Sequence, residues 1–146
     1  MLYSIGYEKL TVSQLVEILK EHNVEYLIDV RSKPFSNRPE FTKNRLGWDI
    51  NRNEIEYHWF GETLGGFSEI ADDALANLID ISKDHIVCLL CQEHNPKSCH
   101  RYTEIGARLA IKPFNVEVIH MVPVVDSDGN YVKCNQQLTG NQGKLF

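Results

Sequence analysis

Several features that would place the chain in a familiar class are missing from its 146 residues. No apolar run approaches the roughly 20 residues of a membrane span, and the amino terminus lacks the basic and then apolar layout of a signal peptide. Neither a Walker-type phosphate loop nor the glycine pattern of dinucleotide-binding proteins occurs. With only five prolines and 42% hydrophobic residues, the composition predicts one compact cytoplasmic domain that has no membrane segment and no resident cofactor.

Excess positive charge is also absent from the chain as a whole, but one segment is basic. The 15 basic and 20 acidic residues give a net charge of -5, which argues against binding nucleic acid by bulk charge. Residues 31–45 nevertheless carry five basic side chains and one acidic one. Lys33 and Arg38 are therefore candidate anion ligands, and Phe35 and Phe41 are candidate stacking partners for a base. The alternative is a solvated loop that its phenylalanines anchor to the core.

The order of apolar runs and helical patterns predicts an α/β fold. Short apolar runs at 2–5, 24–30, 55–60, 86–91 and 116–122 predict five strands. Helical periodicity predicts intervening helices that begin after Thr11 and near Thr42, Ser68 and Pro96. We expect a single domain over residues 1–122, with a mostly parallel sheet and helices on both faces, a Rossmann-like three-layer sandwich. Residues 123–146 are polar and are expected to form a tail outside the sheet, partly ordered or partner-binding.

The carboxyl ends of the predicted strands select the candidate functional residues. In open α/β sheets the chemistry collects at this edge. The edge here offers Gly6 and Tyr7 after the first strand, Asp29 and Arg31 after the second, and residues 91–101 after the fourth. We expect these three places to form one pocket, in which Gly6 allows a close backbone approach and Tyr7 presents its hydroxyl group.

Residues 91–101 contain the richest set of reactive side chains in the sequence. Two thiols, at Cys91 and Cys99, are candidate nucleophiles, and His100 or Glu93 is positioned in sequence to move a proton. Cys99 is expected in the first turn of the helix that begins near Pro96, where exposed amide groups lower the pKa of a thiol. This arrangement predicts a thiol site that acts on a phosphate-bearing substrate, plausibly a nucleotide or nucleic acid.

Two arginines and one carboxylate complete the predicted site. Arg31 and Arg101 are candidates to hold the anion, and Asp29 either orients an arginine or acts as a base. The Cys-x5-Arg loop of thiol phosphatases and rhodaneses does not occur, because nine residues separate Cys91 from Arg101.

Three other interpretations of the same residues remain open. The cysteines are also typical of small buried core residues, and the pocket is also compatible with a non-catalytic nucleotide- or nucleic-acid-binding module. The third interpretation is a zinc site, for which Cys91, His94, Cys99 and His100 are the candidate ligands. Cys88 is a poor ligand for it, since the odd spacing from Cys91 in one strand turns the two side chains to opposite faces. We assign no metal ligand from the sequence.

The last five residues, Gln142 to Phe146, suggest a protein partner. An apolar Leu145-Phe146 pair after a polar, glycine-containing lead is typical of a peptide that docks into a groove. The Gln-x-x-Leu-Phe pattern is similar to the short motif with which bacterial replication and repair proteins bind the sliding clamp. The alternatives are a tail folded back on its own domain and plain disorder.

Taken together, several short motifs resemble one protein family. They are Ser4-Ile5-Gly6-Tyr7, Asp29-Val30-Arg31-Ser32 with Pro34, Arg38-Pro39 and Phe41, Leu64-Gly65-Gly66, and Leu90-Cys91-Gln92-Glu93 through Pro96 to Cys99-His100-Arg101. The chain in this respect resembles the family called domain of unknown function 488, over roughly residues 2–122. The resemblance implies a small α/β domain in which the Gly-Tyr, Asp-Val-Arg and Cys-His-Arg elements meet at one pocket. It implies no particular reaction.

Overall fold

A six-stranded, mostly parallel sheet forms the centre of the protein. The computed structural model describes residues 1–139, so the proposed partner motif at Gln142 to Phe146 lies outside the described residues. The strands are β1 (Leu2–Gly6), β2 (Tyr26–Asp29), β3 (Glu56–Trp59), β4 (Val87–Cys91), β5 (Ile119–Val125) and β6 (Tyr131–Leu138). Their spatial order is β3-β2-β4-β1-β5-β6. All neighbours are parallel except β5 and β6, which pair antiparallel.

Five α-helices accompany the strands in the described part of the chain. They are α1 (Val12–Glu21), α2 (Lys43–Asn51), α3 (Gly61–Leu64), α4 (Asp72–Asp84) and α5 (Ala107–Leu109). The N-terminus of α1 is a capping box, in which the Thr11 hydroxyl accepts from the Gln14 amide and the Gln14 side chain accepts from the Thr11 amide. None of the described helices is long and apolar enough to cross a membrane.

Two separate apolar clusters, one on each face of the sheet, confirm the predicted layered α/β fold. One cluster packs α1 and α2 against the face that carries Ile5, Leu27 and Cys88. The other packs α4 and the 101–109 helical segment against the face that carries Leu89 and Cys91. The opposite placement of Cys88 and Cys91 confirms the odd-spacing argument. β4 pairs with a strand on each side and is buried along its whole length.

The segment after residue 122 differs from the sequence expectation. We predicted a fifth strand that ends at 122 and a polar tail outside the sheet, but β5 continues to Val125 and β6 adds a sixth strand. The two strands form a hairpin whose turn contains Gly129 at φ 84°. In that turn the Asp126 carboxylate accepts from the amides of Asp128 and Asn130. The polar composition therefore belongs to an edge strand with a half-exposed face.

Two predicted helices also differ. The helix expected from Ser68 begins only at Asp72. The segment expected to be one helix from Pro96 is broken into a 3₁₀ turn at Pro96–Ser98, a π-helical stretch at Arg101–Gly106 and then α5. Cys99 lies between the first two with extended backbone angles, φ -133° and ψ 145°. Cys99 therefore precedes the helix. Our expectation that it lies in the first turn of the helix is wrong.

Candidate active site

The carboxyl ends of three adjacent strands bring the predicted residues to one edge of the sheet. Gly6 at the end of β1 is in register with Cys91 at the end of β4, and Asp29 at the end of β2 is in register with Leu90. At Gly6 a Cβ atom would lie 1.7 Å from the carbonyl oxygen of Glu93. Only glycine therefore allows the loop after β4 to cross the end of β1, which is the close backbone approach that the sequence predicted.

A cavity of about 200 Å³ opens at this edge. Its walls include residues from two of the three predicted places, Arg31 and residues 91–100, together with residues 32–35 and the loop after α3, whereas Tyr7 lines a neighbouring cavity. Among the residues that line it are Arg31, Lys33, Phe35, Phe67, Cys91, Glu93 and His100. Cys99 and Asp29 lie behind this wall, 4% and 0% exposed.

Two thiols and one imidazole cluster at the inner end of the cavity. The Sγ atoms of Cys91 and Cys99 lie 3.8 Å and 3.7 Å from Nδ1 of His100. The two sulfur atoms and the ring nitrogen all lie within 4.8 Å of one another. Sequence reasoning named these three residues, and the fold brings them together.

The orientation of His100 is fixed by backbone groups from two loops. Its Nε2 lies 3.0 Å from the carbonyl oxygen of Val30 and 2.8 Å from that of Leu64. Because carbonyl oxygens only accept, Nε2 carries a hydrogen, and in the neutral ring the lone pair of Nδ1 is directed at the two sulfur atoms. A Cβ atom on Gly66 would lie 3.1 Å from the His100 ring, so this glycine lets the loop lie flat against the imidazole.

The two thiols share one proton unequally. The pKa of Cys99 is lowered, to about 3, chiefly because the Cys91 thiol donates to its sulfur. His100, the positive charge of Arg101 and the Arg101 amide lower it further, against the effect of burial. The pKa of Cys91 is raised well above its usual value, because Cys91 is the donor in that hydrogen bond and is buried. Within this pair the negative charge is favoured on Cys99 and the proton on Cys91.

His100 and Glu93 are the groups in the site that can exchange a proton. Burial alone would lower the pKa of His100, but the Cys99 sulfur and the two carbonyl oxygens raise it above its usual value. Burial raises the pKa of Glu93, and the adjacent Cys99 raises it further. One carboxylate oxygen of Glu93 is buried and has no hydrogen-bond partner among the described residues. It is therefore free to take or give a proton.

Asp29 and Arg31 form a closed ion pair beside the cluster. The Arg31 guanidinium donates to both carboxylate oxygens of Asp29, at 2.9 Å and 2.6 Å, and to the Tyr7 hydroxyl at 3.2 Å. The Tyr57 hydroxyl donates to the same carboxylate. Burial alone would lower the pKa of Arg31, but Asp29 raises it. Arg31 is therefore permanently charged, with most of its donors in use, and Asp29 holds it in place.

The remaining predicted cations lie at different distances from the cavity. Lys33 lines it, with its ammonium group 5.7 Å from the centre of the Phe67 ring. Arg38 lies in an adjoining cavity of about 440 Å³, where it donates to the carbonyl oxygens of Glu8 and Leu10. Its guanidinium therefore fixes residues 31–45, the basic loop, against the end of β1.

Arg101 is fully buried. Its Nε donates to Ser4 at 3.1 Å, and its two terminal nitrogens have no hydrogen-bond partner among the described residues. It lies behind the cavity wall, where its charge stabilises the Cys99 thiolate.

Sequence reasoning missed the loop that follows α3. Leu64 supplies a carbonyl oxygen to His100, Gly66 packs on the ring, and Phe67 stands 79% exposed at the mouth of the cavity. The Leu-Gly-Gly motif was a signal for this loop, but nothing in the sequence shows that it closes over an imidazole from residue 100. Tyr57 was missed because its hydroxyl reaches the site from the interior of a strand.

A family model matches the chain in two overlapping segments, residues 11–74 and 67–103. It is described as "Domain of unknown function DUF488". No curated protein and no solved structure matches the chain. The match contains β2, β3 and β4, the basic loop, the loop after α3, and the whole Cys91–His100 cluster. By this match the chain belongs to the DUF488 family.

Proposed function

We propose that the protein is a thiol-dependent enzyme that acts on an anionic substrate in the cavity at the carboxyl edge of the sheet. The observation that carries this proposal is that Cys91 and His100 both line the cavity, with the Cys91 sulfur 3.8 Å from Nδ1 of His100 and within 4.8 Å of the Cys99 sulfur. Cysteine is a nucleophile only as the thiolate, so a thiol beside a proton acceptor is equipped for attack.

The same contacts define a proton route. As the Cys91 sulfur bonds to the electrophilic atom of the substrate, its proton passes to Nδ1 of His100. The two carbonyl oxygens on Nε2 hold the ring in the orientation that this transfer needs. Glu93 lines the same cavity and has an unpaired oxygen, so it is placed to give a proton to the leaving group.

The mouth of the cavity indicates the class of substrate. Lys33 provides a cation there, and Phe35 and Phe67 are 71% and 79% exposed on the same cavity wall. Exposed aromatic rings beside a lysine suit a ligand that has both an anionic group and a flat ring. We therefore propose a nucleotide, or a nucleotide unit of a nucleic acid, as the substrate. A free-thiol mechanism requires a reducing compartment, which favours the cytoplasm.

A second candidate is a nucleotide-binding module without turnover. The larger, adjoining cavity favours it, since Tyr7, Phe35, Arg38 and the acidic Glu8 are among the residues that line it and none of its described lining residues is a cysteine. In this case the ligand would occupy the adjoining cavity, and its binding would not depend on Cys91.

The test is site-resolved alkylation. The reduced full-length chain is treated with a limiting amount of iodoacetamide at neutral pH, and the labelled cysteines are identified by peptide mass spectrometry. We expect Cys91 to react faster than Cys88 and Cys134 and a nucleotide ligand to protect it. His100→Gln should slow the reaction by about 100-fold, the lower end of the range for loss of a general base. Cys134→Ser, on β6 and remote from the cavity, is the matched control.

Two results would count against the enzyme. Labelling of Cys91 no faster than of Cys134 contradicts an activated nucleophile. Nucleotide binding that persists in Cys91→Ser, without protection of Cys91 in the parent chain, supports the binding module instead. Circular dichroism of each variant establishes that the fold is retained.

A further inference from the structure

The two thiols and the imidazole have a geometry that a thiol mechanism does not require. From this geometry we propose that Cys91, Cys99 and His100 form a binding site for one Zn²⁺ ion. Two cysteines and one histidine are an established ligand set for zinc that keeps its fourth position open. The ligands come from the end of a buried strand and from the junction that precedes a helix, so the fold itself sets their spacing.

The distances between the ligand atoms fit a tetrahedral ion. With Zn–S bonds of about 2.3 Å and a Zn–N bond of about 2.0 Å, the tetrahedral angle places sulfur and nitrogen about 3.5 Å apart. The two distances from Nδ1 of His100 are 3.8 Å to Cys91 and 3.7 Å to Cys99. All three ligand atoms lie within 4.8 Å of one another. The two sulfur–nitrogen distances are therefore close to those of a tetrahedral Zn²⁺ site.

Nε2 of His100, the ring nitrogen that does not face the sulfurs, has the hydrogen-bond acceptors that a metal-binding histidine usually has. A ligating histidine usually donates its other ring N–H to a carbonyl or a carboxylate, which fixes the tautomer and the plane of the ring. Nε2 of His100 faces two carbonyl oxygens, of Val30 and Leu64. This leaves Nδ1 as the lone-pair atom, and it is the atom that faces both sulfurs.

The other candidate ligands in the sequence are excluded by position. Cys88 packs in the cluster on the opposite face of the sheet. The His94 backbone amide donates to Glu8, and His94 is not part of the three-residue ligand group. Cys91 and His100 line the cavity, so the fourth position of the ion faces it. Water can occupy that position.

Zinc at this site would regulate the proposed enzyme. The inference of regulation rests on the proposed function, whereas the zinc site stands on the geometry alone. A sulfur that is bonded to Zn²⁺ has part of its negative charge withdrawn by the ion, and Cys91 is then a weaker nucleophile. We therefore expect zinc to slow the reaction of Cys91 with the substrate.

The experiment uses the full-length reduced chain, freed of metal by a chelator that is then removed. Zn²⁺ is titrated in competition with a chromophoric chelator, and Co²⁺ is used as a spectroscopic probe, since thiolate-to-cobalt absorption reports sulfur ligands directly. We expect one equivalent of Zn²⁺ to bind and Co²⁺ to show thiolate bands. Cys99→Ser and His100→Gln should each weaken binding by at least about tenfold, because even outer-shell changes cost 10- to 100-fold. Cys134→Ser and His85→Gln are matched controls that should bind as the parent does.

Three outcomes would overturn the site. They are no Zn²⁺ binding at micromolar protein, equal binding in Cys99→Ser and the parent, and a Co²⁺ complex without thiolate bands. Alkylation of Cys91 in the metal-free and zinc-loaded chains separates the two proposals. Fast labelling without zinc binding leaves the thiol enzyme standing and removes the zinc site. Zinc binding with an unreactive metal-free Cys91 leaves the zinc site and removes the thiol enzyme.

Discussion

His120 is a buried neutral histidine, and its protonation should destabilise the fold at mildly acidic pH. It is 0% exposed and lies between the hydroxyls of Ser4 and Thr139. Ser4 also accepts from Arg101, and its hydroxyl hydrogen is available for donation to Nδ1 of His120. Burial first, and then the positive charge of Arg101, lower the pKa of His120 to about 3, although Cys99 opposes this.

The size of the effect follows from linkage. In the unfolded chain a histidine has a pKa of about 6.5 and takes up a proton below that pH, whereas in the folded chain His120 stays neutral down to about pH 3. The stability is fully present above about pH 6.5 and is lost as the pH falls towards 3. Between pH 7.5 and pH 5.0 the pH falls to about 1.5 units below the pKa of His120 in the unfolded chain. At about 1.4 kcal/mol per unit, protonation of the unfolded chain lowers the free energy of unfolding by about 2 kcal/mol.

The assay is urea unfolding followed by circular dichroism at pH 7.5 and pH 5.0. The variant His120→Asn keeps a hydrogen-bonding group and has no titration in this range, and every other histidine is common to both proteins. We expect the parent chain to lose about 2 kcal/mol more than the variant between the two pH values. Equal losses would refute the reasoning. If the variant does not fold, an NMR titration of the His120 ring that shows a midpoint near 6.5 would refute it equally well.

Three further changes test the framework of the site. Gly6→Ala places a Cβ atom 1.7 Å from a backbone oxygen of Glu93, so we expect a loss of at least about 1–3 kcal/mol in urea unfolding and slower labelling of Cys91. Asp29→Asn leaves the buried Arg31 without a counter-charge, and thermal unfolding should report a loss of about 3–5 kcal/mol. Lys33→Gln should reduce the salt dependence of single-strand or nucleotide binding by about one unit of slope, measured by fluorescence anisotropy. An unchanged slope would mean that Lys33 is a solvated side chain and does not contact the ligand.

The sequence predicted the sheet and the convergence of the site because both depend on local patterns. Apolar runs located β1 to β5, and the rule that parallel strands present their carboxyl ends at one edge placed Cys91 next to Gly6 and Asp29. The confirmed features are those that follow from strand direction alone. This rule does not predict which side chains contact each other within the site, because those contacts depend on how the loops fold over the edge of the sheet.

The missed features are those in which a tertiary contact overrides local composition. β6 is rich in polar residues, yet Tyr131 and Cys134 pack against the core and backbone pairing with β5 supplies the rest. The Asp128-Gly129 pair between apolar runs is a known hairpin signal, and the polar composition around it obscured it. The broken helix after Pro96 follows from Cys99, whose extended backbone places its sulfur beside Cys91 and His100.

The central position of β4 separates what is rigid in the site from what is adjustable. Cys91 ends a strand that is hydrogen-bonded on both sides, so its backbone should open only with global unfolding and should rank among the slowest amides in hydrogen exchange. Phe35 and Phe67 instead project from surface loops at the mouth of the cavity. Substitutions at these two residues should change the mouth of the cavity without disturbing the backbone of Cys91. The mouth and the inner end of the cavity can therefore be varied independently in experiments.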